Sequence, residues 1–383
     1  MFNPQTLKDN NNRLNLLFFL YLLPTFFECF FKWSNPFTSE GFTYAPHWFS
    51  IFKILMQCLL LGAFLYPICI KITTRNICIC FCLILCFVNL IFYKYTHDLI
   101  DPNVVAIKSF MVFIIFVGVL SVLKTKYILQ ERTIRFIFNI FLVGFILQIL
   151  AYYFLDINPS HSQAGFLLPR FNGLTNDSLS MGLIIPLFIP ILINNKTRVI
   201  EVLILISMSI LTGSLYSLFI TLFLLFFYLA YKKLFSLMLF IFLALVFFSV
   251  IFYQEISYIF SYKINSILVH LDYFIKLYSN GQTNCEEVFC ESFFAQTKSI
   301  SWVSTLLFYI CFGYMIKKLI NFGRERANRV VVHSILCLGF SILTASFFHP
   351  IIIIPFAINL FFIAFLMLSN AHTHSLKNLK VMS

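Results

Sequence analysis

Residues 234–253 read LFSLMLFIFLALVFFSVIFY, directly after Lys232-Lys233 and directly before Gln254-Glu255. Those positions carry no ionisable group except the closing tyrosine, and as a helix rising about 1.5 Å per residue the run would be about 30 Å long, the thickness of a bilayer's hydrocarbon core. Similar runs recur along the whole chain. Of its 383 residues, 60% are hydrophobic and 11% charged, and the mean hydropathy is +0.91. An average soluble protein carries roughly 25% charged residues, and so few charges cannot clothe a water-facing surface of this size. The composition therefore predicts an all-α, polytopic integral membrane bundle and excludes a cytosolic enzyme, a nucleic-acid binder and a secreted domain.

Apolar runs predict about twelve transmembrane helices, near 14–31, 48–70, 77–93, 104–123, 134–155, 177–193, 199–212, 214–231, 234–253, 299–319, 330–347 and 350–368. Lys8 and Arg13 precede the first run with no small-residue cleavage site after it, so that run is read as a span and not as a removed signal. The net charge of +12 has a membrane meaning too: with alternating loops, nineteen of the 27 Lys and Arg fall on one side and eight on the other. The positive-inside rule then puts both termini in the cytoplasm. Two longer loops, 156–176 and 254–298, face outward in a single membrane domain covering 1–383. Chemistry of any size is expected on that outer face.

Several motif classes are missing from the sequence. It contains no G-x-x-x-x-G-K-[ST] loop for nucleotide phosphates, no H-E-x-x-H or C-x-x-C metal spacing and no D-x-D pair. The reading therefore expects neither metal nor cofactor. Cys78, Cys82 and Cys86 would share one helical face as apolar filling, while Cys285 and Cys290 share an outer loop in which a local disulfide would be stable.

The most informative stretch is PRFNGLTNDS, residues 169–178, just before the sixth run. A guanidinium at Arg170 could grip a phosphate or diphosphate through two parallel N–H···O bonds. Gly173 would let the backbone approach such a ligand, and Asn176, Asp177 or Ser178 could cap the next helix. The plainer alternative is a basic loop followed by an ordinary cap. A second stretch, LTGSLYS at 211–217, reads as a tight outer turn whose small residues allow close helix packing. His349, in the SFFHP turn at 346–350, could be a base, a phosphate partner or simply an interfacial side chain. Glu291 and Lys298 stand before the tenth run, either as a working pair or as a solvated rim. Ionisable residues in mid-run are nearly missing, which argues against an ion-coupled carrier.

Taken together, the layout and three short motifs resemble the bacterial O-antigen polymerases of the Wzy type and the related O-antigen ligases. Arg170-Phe171-Asn172-Gly173-Leu174-Thr175-Asn176-Asp177 is similar to that family's Arg- and Gly-containing approach to a span. Thr212-Gly213-Ser214 is similar to its T-x-S-R turn, except that Leu215 stands where the Arg would be. Glu291 resembles the polar residue that closes the large periplasmic loop. Ligases commonly carry a His at that place, and His270 lies more than twenty residues upstream of it.

The resemblance implies an inner-membrane glycosyltransferase that joins undecaprenyl-diphosphate-linked oligosaccharide units on the periplasmic face, in lipopolysaccharide O-antigen biosynthesis. It further implies the lipid bilayer and a chain-length regulator protein as partners, with no nucleic acid. Arg170 would stabilise the departing diphosphate with help from Lys298, and His349 or Glu291 would take the proton of the attacking hydroxyl; Gly173, Asn176 and Asp177 would line the substrate. An O-antigen ligase and a lipid-linked oligosaccharide flippase are the alternatives.

Overall fold

In the computed structural model, the described residues are 69–70, 123–124, 129–155, 171–175, 178–194, 199–251, 302–323 and 329–348, with 253, 254, 257, 261, 268, 361 and 364. They are helical apart from turns and one two-residue antiparallel pairing, β1 (Cys69–Ile70) with β2 (Leu123–Lys124), in which Cys69 faces Lys124. Of the expected runs before residue 129, only Cys69–Ile70 at the end of 48–70 and Leu123 at the end of 104–123 are described, and they pair as strand where a helix was expected; the last run at 350–368, apart from Phe361 and Ala364, lies outside the described residues.

The helices are α1 (Glu131–Leu155), α2 (Ser178–Ile184), α3 (Ile189–Asn194), α4 (Val199–Leu211), α5 (Leu215–Tyr231), α6 (Phe235–Ile251), α7 (Trp302–Gly323) and α8 (Arg329–Phe348). Two of these segments, Glu131–Leu155 and Arg329–Ser346, are long and apolar enough to cross a membrane; the apolar segments of α4, α5 and α6 are shorter. A 3₁₀ turn, Ile185–Phe188, joins α2 to α3. Its cause is Pro186 within the first two turn positions, because a proline has no N–H to give to an α-helical ladder.

The centre of the bundle is this interrupted segment. Every residue from Met181 to Ile193 is buried, and α1, α4, α5 and α8 all pack around it. The interior also holds neutral polar groups: Thr133, Gln148, Ser209, Ser217, Thr221, Ser334 and Ser341 are all buried. The exterior is the reverse. On α6, nine large apolar side chains from Phe235 to Ile251 are 44% to 70% exposed. Facing water, they would forfeit about 1 kcal/mol apiece, half the usual gain from burying such a side chain. That is on the order of 10 kcal/mol for one helix, as large as a typical domain's whole net stability.

The chain's contacts define two ends. At one, the turn after α1 meets the α4–α5 connection, and α5 begins beside the last turns of α8. At the other, Arg135 of α1 pairs with Glu201 of α4 at 3.3 Å, Lys232 after α5 donates to Asn194 of α3 at 3.2 Å, and Tyr228 and Tyr231 meet His333 of α8. Apart from Lys124 in β2, every described Lys and Arg belongs to the second end: Arg132, Arg135, Lys232, Lys233, Lys317, Lys318 and Arg329.

Helix spacing depends on missing side chains. A Cβ on Gly182 of α2 would overlap Cβ and Oγ of Ser217 on α5. The overlap is with atoms next to the backbone, which cannot swing away. By contrast, a Cβ on Gly313 of α7 meets nothing within 4 Å. Gly182→Ala should therefore cost about 1–3 kcal/mol by overpacking, whereas Gly313→Ala should be neutral or gain up to about 1 kcal/mol of helix propensity. Thermal melting of both variants in detergent checks the contrast.

Candidate functional site

The end opposite the described cations is organised around one side chain. Gln148 of α1 is 2% exposed, and its Oε1 accepts two backbone bonds, from the N–H of Asn172 at 2.9 Å and of Gly173 at 2.7 Å. Its Nε2 donates to the Asn172 side-chain carbonyl. Asn172 then donates through Nδ2 to the Thr175 carbonyl at 2.6 Å, and its own carbonyl accepts from the Thr175 amide at 3.0 Å and hydroxyl at 2.7 Å. The result is a buried turn, Phe171–Thr175, in which every one of these bonds is satisfied inside the protein.

Two glycines make the turn possible. Gly173 sits at φ +57°, the left-handed region that side chains disfavour, and a Cβ there would come within 2.9 Å of the Phe145 ring. Gly144 of α1 leaves the space that the Leu174 side chain fills. Phe171 packs its ring against Phe145 and Tyr152, with centroids 6.2 and 5.8 Å away.

The turn is also tied to the α4–α5 connection. The Phe171 amide donates to the Leu211 carbonyl at 2.9 Å. From there Thr212 donates its hydroxyl to the Ser209 carbonyl at 2.7 Å, Gly213 takes φ +61°, and Ser214 caps α5 by accepting from the Ser217 amide at 3.3 Å. The side chains of Ser209 and Ser217 close the gap between the two helices at 3.3 Å. Next to this hinge, the Tyr216 hydroxyl donates to the Ser341 carbonyl of α8 at 2.8 Å and meets the Thr344 hydroxyl, while Tyr309 of α7 meets Ser346 of α8 at 2.8 Å.

The two stretches singled out in the sequence, 170–177 and 211–217, are thus joined by a direct backbone bond, and the C-terminal turns of α8 lie beside them. Of the predicted site residues, Gly173 is in the turn, with its amide given to Gln148. Arg170, Asn176, Asp177, Glu291, Lys298 and His349 lie outside the described residues, as do Cys285 and Cys290. By sequence, Arg170 precedes the anchored Phe171 and His349 follows Phe348, the last residue of α8.

No protein-family model, curated protein or solved structure matches the chain. Among the described residues, no group of three His, Cys, Asp or Glu side chains has the geometry of a metal site.

Gln148 and Tyr309 lie outside the stretches that stand out in the sequence, and Tyr216 stands out only as part of the 211–217 turn. Gln148 did leave a signal, as a lone amide among Phe145, Ile146, Leu147, Ile149 and Leu150. A polar group in such surroundings must find partners or cost free energy. Gln148→Leu should strand the Asn172 and Gly173 amides at about 1–3 kcal/mol each. It should therefore lower the melting temperature and open the 171–175 turn to limited proteolysis, with wild type protected under the same conditions.

Proposed function

We propose that the chain is a multi-pass inner-membrane glycosyltransferase of the O-antigen-polymerase type. On this reading it has about twelve spans, cytoplasmic termini and a reaction centre at the periplasmic end. The carrying observation is the Phe171–Leu211 backbone bond, which unites the turn behind Arg170 with the small-residue hinge. Membrane placement is supported by two helices of spanning length, by the large apolar side chains exposed on α6, and by the gathering of described cations at the end opposite the turn.

The chemistry follows from the substrate class. In the donor, the anomeric carbon of a glycan is bonded to a diphosphate oxygen of undecaprenyl diphosphate. A hydroxyl of the incoming lipid-linked unit attacks that carbon, the C–O bond to the diphosphate breaks, and a new glycosidic C–O bond forms. Diphosphate is already a good leaving group, so stabilising its developing charge matters more than protonating it. Arg170 has this task, assisted by Lys298, with the fork geometry of guanidinium matching two phosphate oxygens. His349 or Glu291 takes the hydroxyl proton. Asn176 and Asp177 lie in the substrate-lining stretch next to the anchored turn. The reaction as written uses no nucleotide sugar, and a chain-length regulator is the expected protein partner.

The test is a lipopolysaccharide gel of a strain lacking this gene, complemented with wild type or variants at equal membrane expression. The expected result is loss of the ladder with a core-plus-one-unit band retained, and restoration by wild type. Loss of every O-unit band would point to the ligase or flippase instead, and an unchanged ladder would end the O-antigen reading. Arg170→Ala should reduce polymerisation by about 10²–10³-fold, the usual loss when one stabilising donor is removed. Full activity of that variant would refute the diphosphate role, and wild-type ladders from both His349→Ala and Glu291→Gln would rule out both as the base.

A further inference from the structure

The opposite end of the bundle carries a second arrangement that glycosyl transfer does not use. α5 ends in a six-residue closure: the Leu234 amide bonds the Leu229 carbonyl at 2.9 Å, and the Lys233 amide bonds the Ala230 carbonyl at 3.0 Å. This pair of bonds demands a left-handed residue, and that position is normally glycine. Here it is Lys233, at φ 59°, the one non-glycine residue with positive φ among those described. A backbone position suited to glycine is thus occupied by a cation, next to another at Lys232.

The surroundings favour an anion. Lys232 is exposed, with its Nζ 3.2 Å from the Asn194 side-chain oxygen and 5.8 Å from the Tyr228 ring centroid. His333 of α8 stands edge-on to both tyrosines, 5.8 Å from Tyr228 and 5.5 Å from Tyr231. Arg329, one helical turn before His333, is exposed in the first turn of α8, where helix amides add positive potential. The charges of Arg329 and Lys232 both reach His333, and Glu131 is the acid whose charge reaches Tyr228. Two permanent cations on two elements, Arg329 and Lys232, therefore act on one imidazole beside an aromatic patch, and Lys233 adjoins Lys232 in the chain. Tyrosine rings of this kind sit well at headgroup depth.

We infer that the α5–α6 turn and the first turn of α8 form a binding site for a phosphate group, carried by an anionic phospholipid of the adjoining leaflet. Lys232, Lys233 and Arg329 hold the phosphate charge, His333 adds a ring N–H, and Tyr231 lies against the glycerol and upper acyl chain. The inference rests on the membrane placement proposed above and not on glycosyl transfer, so a failed ladder experiment leaves it standing.

The test uses the full chain in a neutral maltoside detergent, with lipid retention read by native mass spectrometry and stability by thermal melting. Phosphatidylglycerol, phosphatidylcholine and inorganic phosphate are the three probes. Wild type should retain phosphatidylglycerol over phosphatidylcholine, and each cation removed should weaken that preference about fivefold. Lys233→Gly separates binding from folding: relief of the left-handed backbone should raise the lipid-free melting temperature while phosphatidylglycerol retention falls. Lys232→Gln and Arg329→Gln should weaken retention without that rise. A melting shift with inorganic phosphate as large as with phosphatidylglycerol, lost in the same variants, would assign the site to free phosphate. Equal retention of both lipids with no phosphate shift, or variants that bind like wild type, would overturn the site.

Discussion

The arrangement at the end opposite the described cations depends on a buried amide having to be satisfied. Gln148 sits on a helix whose neighbouring residues are almost all apolar, where an unpaired amide is costly. Its acceptor can serve two N–H groups at once, and the turn at 172–173 presents two consecutive amides to it. That geometry explains the local sequence. Asn172 answers the Gln148 donor, Gly173 takes the left-handed backbone that aligns the amides, and Gly144 clears space for Leu174. Once the turn is fixed, the Phe171 amide is aimed at the Leu211 carbonyl, and the α4–α5 hinge is held in the same unit.

Much of the helical layout was legible in the apolar runs, because a run ends where a charge or small polar group begins. The expected spans at 199–212, 214–231 and 234–253 correspond to Val199–Leu211, Leu215–Tyr231 and Phe235–Ile251, and Thr212-Gly213-Ser214 is the tight connection its small residues announced. Ends with charges were harder. The run expected from 134 begins at Glu131, because Arg132 and Arg135 extend out of the helix and do not stop it. The run expected at 299–319 already held Lys317 and Lys318, and its helix continues through Asn321 to Gly323. The 3₁₀ break at Ile185–Phe188 was encoded in Pro186, which a count of apolar residues overlooks.

The site was legible only in pieces. The stretches at 170–177 and 211–217 each stood out by composition, but the bond between them connects positions forty residues apart, and no spacing rule carries that information. Gln148 lies 24 residues from Asn172, and a single amide in an apolar run does not say which backbone it will meet. Gly173 read naturally as a place for close ligand approach. In the structure the close approach is to Phe145, and the amide is given to Gln148. The left-handed backbone and the nearness of Phe145 each account for a glycine at this position.

The distribution of polarity follows from what an apolar surrounding does to each kind of group. An ion taken from water into a low-dielectric interior loses several kcal/mol even after relaxation, so Arg135 and Glu201 pair at an end, where both keep partial exposure. Hydroxyls and amides pay far less and can close their bonds locally, as Thr212 does with Ser209 and Ser346 with Leu343. If lipid surrounds the bundle, burying apolar surface between helices no longer drives their association, since acyl chains are as apolar as leucine. Close approach must then hold them, through dispersion and hydroxyl bonds that act only at short range. Gly182 against Ser217, Ser209 against Ser217, and Gly339 against Phe361 and Ile316 are contacts of this kind. The same constraint therefore bears on the helix spacing and on the described permanent charges, which, Lys124 apart, gather at one end of the bundle.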